Sequence, residues 1–131
     1  MAHYPAKDSE VSGYITKQTV INMQHWLRKV GYYAKNRECD GVWGYWTTLG
    51  IQQYLRTKYK GGYPRERYYA GRLDGQFGSM TKGALGDAAY YLVGGRPGSK
   101  MYQYCGGYSC HVAWPNIEVV KNWQYFLNNA T

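Results

Sequence analysis

Phenylalanine is nearly missing from this chain: 2 residues in 131, against 16 Tyr and 5 Trp. The aromatic load therefore rests on rings with a polar edge. Such rings suit a surface that is wet when free and covered when bound, although half-buried packing is the competing reading for any single tyrosine. Acidic residues are scarce as well, 8 Asp and Glu against 16 Lys and Arg, so the formal charge is +8. With 44% hydrophobic residues, this balance excludes a disordered tail and describes a folded basic domain. No apolar run is long enough to cross a bilayer, and the first residues lack the hydrophobic stretch of a secretory signal. Met1-Ala2-His3-Tyr4 reads as a cytoplasmic start or as the start of a fragment.

Histidine and cysteine are equally thin. His3, His25 and His111 show no metalloenzyme spacing, and neither a C-x-x-C nor an H-x-x-x-H pair occurs, so no metal and no cofactor is expected. The three cysteines cannot all pair with one another. Cys105 and Cys110, in Cys-Gly-Gly-Tyr-Ser-Cys, could close a small loop and leave Cys39 over. A cytosolic origin instead favours three reduced thiols, which is the expectation adopted.

What the chain does have is one phrase written twice: Asp40-Gly41-Val42-Trp43-Gly44-Tyr45-Trp46-Thr47 and Asp74-Gly75-Gln76-Phe77-Gly78-Ser79-Met80-Thr81. Both read D-G-x-aromatic-G-x-x-T, and both precede apolar residues at helical spacing. An Asp-Gly pair favours a tight turn, since the carboxylate accepts backbone N–H groups and glycine takes positive φ. The aromatic can fold back as a plug, with the second glycine letting the chain pass beneath it. The Ser or Thr that follows is a candidate N-cap. Asp40, Gly41, Gly44, Asp74, Gly75 and Gly78 are thus assigned to turn structure.

Along the chain, residues 1–14 lack periodicity and read as an N-terminal arm or linker remnant. A first helix is predicted from Thr16, with Val20, Met23, Leu27 and Val30 on one stripe, Trp26 beside it and Gly31 ending it. His25 lies on that helix, either as a solvated surface residue or as a groove contact or general base. A charged spacer over 32–41 leads to the first turn. A second helix is predicted from about Thr47, with Ile51, Leu55 and Tyr59 on one face, stopping before Gly61-Gly62-Tyr63-Pro64. Residues 56–72 interleave Arg56, Lys58, Lys60, Arg65, Arg67 and Arg72 with Tyr59, Tyr63, Tyr68 and Tyr69, as a solvated loop or an anion-binding lip. A third helix runs from about Ser79 through Leu85, Ala88, Ala89 and Leu92. Residues 100–113 form a short hairpin or irregular loop, and Asn116 caps a last helix that buries Val120, Trp123 and Leu127.

Gln24, Leu27, Gly31-Tyr32-Tyr33, the first Asp-Gly phrase, Thr47 and Ile51-Gln52-Gln53-Tyr54-Leu55 resemble the peptidoglycan-binding repeat of bacterial and phage cell-wall lytic enzymes. The first copy fits over 20–55 and the second from Leu73 to about Leu92, while 59–72 is longer and more basic than the family's spacer and 93–131 departs from the pattern. The resemblance implies a mainly α fold of tandem small helix-turn-helix repeats sharing helices, with ordered Tyr- and Gly-rich loops. The units are 15–60, 61–95, and a C-terminal loop and helix over 96–131. An echo of Gln52-Gln53-Tyr54-Leu55 in Trp123-Gln124-Tyr125-Phe126-Leu127 suggests that this last part is a degenerate third repeat. Further, it implies a cell-wall-binding domain of a phage endolysin, made in the host cytoplasm without a signal peptide, acting at the bacterial wall and fused to a catalytic domain. The ligand would be peptidoglycan or a wall glycopolymer, in a shallow groove touched by Tyr33, Trp43, Tyr45, Trp46, Gln52, Phe77 and Met80. Trp43 and Phe77 double as candidate core plugs. Tyr45 and Trp46 read as exposed, because the second copy places unrelated residues there.

Catalysis by the chain itself has little to stand on. Asp40 and Asp74 could be drawn as a glycosidase pair, but equivalent turns give them a shared structural task. Cys105 or Cys110 beside His111 does not set a nucleophile against its base, since neighbours in sequence seldom face each other. The chain is expected to bind without reacting, any hydrolase activity lying in a separate upstream domain. The alternatives are a basic nucleic-acid-binding module, with cations on phosphates and tyrosines under bases, or a phage structural protein.

Overall fold

The computed structural model describes residues 4–59, 67–94, 96–107 and 109–130. The fold is mainly α. Helices α1 (Lys17–Lys29), α2 (Tyr45–Thr57), α3 (Ser79–Tyr91) and α4 (Ile117–Ala130) are accompanied by a 3₁₀ turn over Met101–Tyr104 and a two-strand hairpin, β1 (Cys105–Gly106) with β2 (Ser109–Cys110). Each helix packs on the next, and α4 packs back on α1, so the four close into a cycle.

Every helix turns the same two positions inward, four residues apart: Met23 and Leu27, Ile51 and Leu55, Leu85 and Ala89, Trp123 and Leu127, all buried. That spacing stacks side chains on one face of an α-helix. Trp26 sits at the centre, edge-on to Tyr54 at 4.5 Å, Phe126 at 5.4 Å and Trp123 at 5.6 Å between ring centroids. The indole of Trp123 donates to the Leu85 carbonyl at 2.9 Å, satisfying the polar edge of a fully buried ring. Helix α3 carries Ala84, Ala88 and Ala89 at the interface, and such small side chains let α4 approach closely.

Several boundaries differ from the sequence expectation for identifiable reasons. The N-caps of α2 and α3 are Gly44 and Gly78, so Thr47 and Thr81 lie in the first helical turn and are buried rather than capping. Both cap glycines have extended backbone, with open space where a Cβ would stand, so no close passage beneath the aromatic demands them. Val30 is the C-cap of α1 and is exposed, and Tyr59 lies past the end of α2, bridged to Arg67 and exposed; neither extends a buried stripe. The expected breaker Gly61-Gly62-Tyr63-Pro64, with Lys60 and Arg65, lies outside the described residues. Within the basic stretch, Tyr68 and Tyr69 are buried in the core, while Arg67 lies over the Tyr59 ring.

Cys105 and Cys110 form a disulfide across the hairpin, which corrects the expectation of three reduced thiols; pairing of β1 with β2 sets the two residues opposite each other. Cys39 stays free and buried. Segment 7–14, read as an arm or linker remnant, lies against α1 and α4. Asn22 accepts from the Lys7 N–H and donates to its carbonyl, at 3.2 and 2.7 Å, and Asn128 does the same for Ser9 at 2.9 and 2.7 Å. Each amide side chain thus stands in for the neighbouring strand that an extended segment lacks. His25 is tied down by Nε2 donating to the Tyr4 carbonyl at 2.6 Å, which leaves Nδ1 to accept from Arg28 at 3.0 Å.

Candidate binding site

The two Asp-Gly turns are built on buried glutamines. Gln24 of α1 points its amide NH₂ at Asp40 Oδ1 (3.2 Å), the Val42 carbonyl (3.0 Å) and Thr47 Oγ1 (3.1 Å), while its Oε1 accepts from the Gly41 N–H (3.0 Å). Two amide protons serve three acceptors, so one bond is shared. Gln52 of α2 repeats the set on Asp74 Oδ1 (3.1 Å), the Gln76 carbonyl (3.1 Å), Thr81 Oγ1 (3.0 Å) and the Gly75 N–H (2.9 Å). In each turn the aspartate also accepts from the N–H two residues on, Val42 at 2.9 Å and Gln76 at 3.0 Å. Tyr33 and Tyr69, both buried, donate their hydroxyls to the carbonyl two residues before the aspartate, that of Glu38 or Arg72.

The same device occurs a third time where the sequence pattern had not shown it. Gln124 of α4 donates to the Tyr14 carbonyl (2.8 Å) and Thr19 Oγ1 (3.1 Å), and accepts from the Gly13 N–H (2.9 Å); the Tyr14 N–H donates to Ser12 Oγ at 3.1 Å. Ser12-Gly13 thus takes the part of Asp-Gly, and the C-terminal helix holds the turn that launches the first one. Gly13, Gly41 and Gly75 all have positive φ, at 81°, 78° and 67°. Over each lies the first side chain of the preceding helix in the cycle: Ile117 on Gly13, Lys17 on Gly41, Tyr45 on Gly75. At the corresponding place in α3 stands Gly86, where a Cβ would run into the Val112 carbonyl at 2.1 Å, so the chain itself fills the room a glutamine would need.

The expected contact residues divide sharply. Gln52 is fully buried and engaged with the second turn, while Tyr33 is largely buried with its hydroxyl on the Glu38 carbonyl and its ring lining the clefts on both sides of Trp46. Trp43 and Phe77 are half-buried and meet each other at 4.9 Å between centroids; Trp43 also meets buried Trp114 at 5.5 Å and donates its indole N–H to Thr48 Oγ1. Tyr45 and Trp46 are exposed, at 50% and 49%, edge to face at 4.9 Å, and Met80 is exposed at the start of α3.

Two clefts repeat with the turns. One of about 390 Å³ lies between Glu38, Asp40 and the start of α2, with Tyr45 and Trp46 on its rim. Its counterpart of about 370 Å³ is bounded by Arg72, Asp74 and the start of α3, with Met80 in the place of Trp46. Behind the Trp46 rim is a larger groove of about 500 Å³ between the 31–37 segment and α2, lined by Tyr32, Arg28, Lys35, Arg37 and Gln53. The Arg37 guanidinium lies over the Trp46 ring, 4.2 Å from its centroid. Arg37, Lys35 and Tyr32 carry no contact signal in the sequence, because the spacer is charged without periodicity and only the fold brings it beside α2. Burial pushes the Tyr33 hydroxyl up, aided by Asp40 and Cys39, and pushes the Cys39 thiol up against the pull of Arg28. Both therefore keep their protons and act as packing groups. Among the described residues no three His, Cys, Asp or Glu side chains gather as a metal site would require, and no helix is long and apolar enough to cross a membrane. The chain matches no family model, no curated protein and no solved structure.

Proposed function

We propose that this chain is a non-catalytic cell-wall-binding domain of the peptidoglycan-binding-repeat kind, its turns and helices forming tandem units that share helices. Its task would be to hold a lytic enzyme, of phage endolysin type and fused to it, against the bacterial wall. The observation that carries the reading is the division within the repeated phrase. Asp, Gly and Thr are locked inside by a glutamine, while the two residues opening α2, Tyr45 and Trp46, are left outside beside an open cleft. A flat ring with a polar edge suits the C–H face of a sugar, and the neighbouring N–H, carboxylate and guanidinium groups suit acetamido and peptide functions. The Cys105–Cys110 bond supports a working place outside the reducing cytosol.

Magnitudes agree with a polymer as ligand. Covering half of a tryptophan removes roughly 100 Å² of apolar surface, worth about 2.5 kcal/mol before the cost of association. One seat alone is therefore weak, and firm attachment relies on repeated seats on a repeating polymer. The charge of +8 adds attraction to an anionic wall that fades as salt rises.

The test is co-sedimentation of the full chain with insoluble sacculi, with and without their phosphate polymers, beside a gel shift on duplex DNA at the same salt. Retention on stripped sacculi is expected, and Trp46→Ala should cut it about tenfold while shifting stability by less than about 0.5 kcal/mol. Retention on DNA alone would overturn the reading in favour of a nucleic-acid module.

A further inference from the structure

We propose that the groove between the 31–37 segment and α2 is an anion seat, and that what it recognises is a saccharide carrying an acidic group: carboxylate or phosphate on one side of the ring, neutral substituents on the other. This rests on the wall-binding reading and gives its ligand a charge and an orientation.

Three observations carry it. The groove is lined by Arg28, Lys35 and Arg37 and by no carboxylate, whereas the cleft on the other side of Trp46 has Glu38 and Asp40 in its wall. Arg37 and Trp46 line both, so they form a ridge with a cationic flank and an acidic one. None of the three cations has an ion-pair partner among the described residues: Arg28 reaches His25 Nδ1 and Arg37 covers an indole face. Glu38 is the one carboxylate that shares an adjoining groove with all three, so the cluster keeps a net positive charge of two, and an oxyanion entering on the side away from Glu38 relieves the remaining repulsion. Third, the surface is already shaped. Gly50 admits the backbone of Tyr32, since a Cβ there would meet the Tyr32 carbonyl at 2.5 Å, and this close approach sets the floor between the two walls.

A ligand laid across the ridge would put its ring on Trp46, its anionic group among Lys35, Arg37 and Arg28, and its amide or hydroxyl donors toward Glu38. Arg37 is suited to the oxyanion because its planar fork can offer two parallel N–H donors, which a lysine cannot. In the second unit the corresponding cleft has Arg72 and Met80, so the indole under the cation is a property of the first unit.

Calorimetric titration of the full chain tests this with four soluble probes: neutral N-acetylglucosamine oligomers, muropeptides with free carboxylates, the same muropeptides amidated, and a polyglycerol phosphate. At least one anionic probe should bind about tenfold more tightly than the neutral and amidated ones, in keeping with one charge-assisted contact. Preference for the muropeptide would identify the source as a carboxylate, and preference for the polymer as a phosphate. Lys35→Gln with Arg37→Gln should erase the difference. Lys7→Gln with Lys100→Gln, which removes the same charge from exposed positions outside the groove, should keep it. Equal binding of neutral and anionic probes, or equal loss in both double variants, overturns the anion seat; the wild-type comparison needs no variant to fold. If wild type is retained on sacculi yet shows no preference for acid, only this inference falls. Failure to bind sacculi at all sinks the wall-binding reading beneath it.

Discussion

The turn before α2 and the turn before α3 agree in the bonds that tie glutamine, aspartate, glycine and threonine together, and disagree over the surface they show. Inside, glutamine, aspartate, glycine and threonine occupy the same places with the same partners, and a tyrosine hydroxyl braces each loop from behind. Outside, Tyr45 and Trp46 in one face Ser79 and Met80 in the other. The third turn sharpens the contrast: it keeps the glutamine, glycine and threonine, trades aspartate for Ser12, and opens its helix with Lys17 and Gln18. A frame whose polar groups satisfy one another leaves the first helical residues free to vary. Variation there changes what the domain can touch without changing how it folds.

The comparison breaks most visibly at its hub. Gln52→Leu keeps the volume but strands Asp74, the Gly75 N–H and Thr81 at once, and should destabilise the protein by about 3 kcal/mol or more in urea melts. Gln24→Leu should match it. Gln124→Leu, which loses no bond to a carboxylate, should cost less, about 2 kcal/mol. A Gln124 variant as stable as wild type would mean that the Ser12-Gly13 turn is held by something other than this glutamine.

Glycine offers the next contrast. At Gly75 an added methyl meets both a positive φ of 67° and the Tyr45 ring at 2.3 Å, whereas Gly78 has φ of −96° and nothing within 4 Å. Gly75→Ala should therefore cost about 2 kcal/mol and Gly78→Ala less than about 0.5 kcal/mol, read as thermal midpoints. Similar losses at both would show that the second glycine has a steric role its surroundings do not reveal.

How much of this was legible beforehand depended on the distance between partners. The Asp-Gly turns and the four helices have short-range causes, a turn dipeptide and apolar residues at i, i+4, and both were readable within a few residues of sequence. Exposure of Tyr45 and Trp46 followed from comparing the copies. The glutamines were not assigned to the turns, because a polar residue on a helix reads the same whether it faces water or an aspartate. On that ambiguity Gln52 reads as a ligand contact, whereas in the fold it is fully buried and bonded to the Asp74 turn. The third turn was hidden twice over: Ser12, Ile15 and Thr16 replace the residues that make the phrase recognisable, and its glutamine lies 111 positions away from Gly13. Gln124 takes the place on α4 that Gln52 takes on α2, but the turn it serves is at the other end of the chain. Arg37 and Trp46, nine residues apart in sequence, became neighbours only once the spacer was laid along α2.

The smallest expected effect separates the Asp74 turn from the serine turn through pH. The Gln76 N–H and the Gln52 amide, both donating to Asp74, hold its carboxyl below the ordinary value of 3.8, against a slight opposing push from desolvation. A carboxyl whose folded pKa lies below its unfolded one contributes stability that is complete above the unfolded value and disappears as pH falls through the folded one. Asp74→Asn removes the charge at every pH while leaving an amide oxygen to accept the same N–H. Its thermal midpoint should therefore lie below wild type at neutral pH, and the gap should close as the pH drops under 3.8. In a Ser12→Ala variant the corresponding gap should not change over that range, since the hydroxyl it removes has no proton to gain. A gap at Asp74 that stayed constant into acid would mean the carboxylate is held there by shape alone. The charge would then add nothing that serine does not already supply in the third turn.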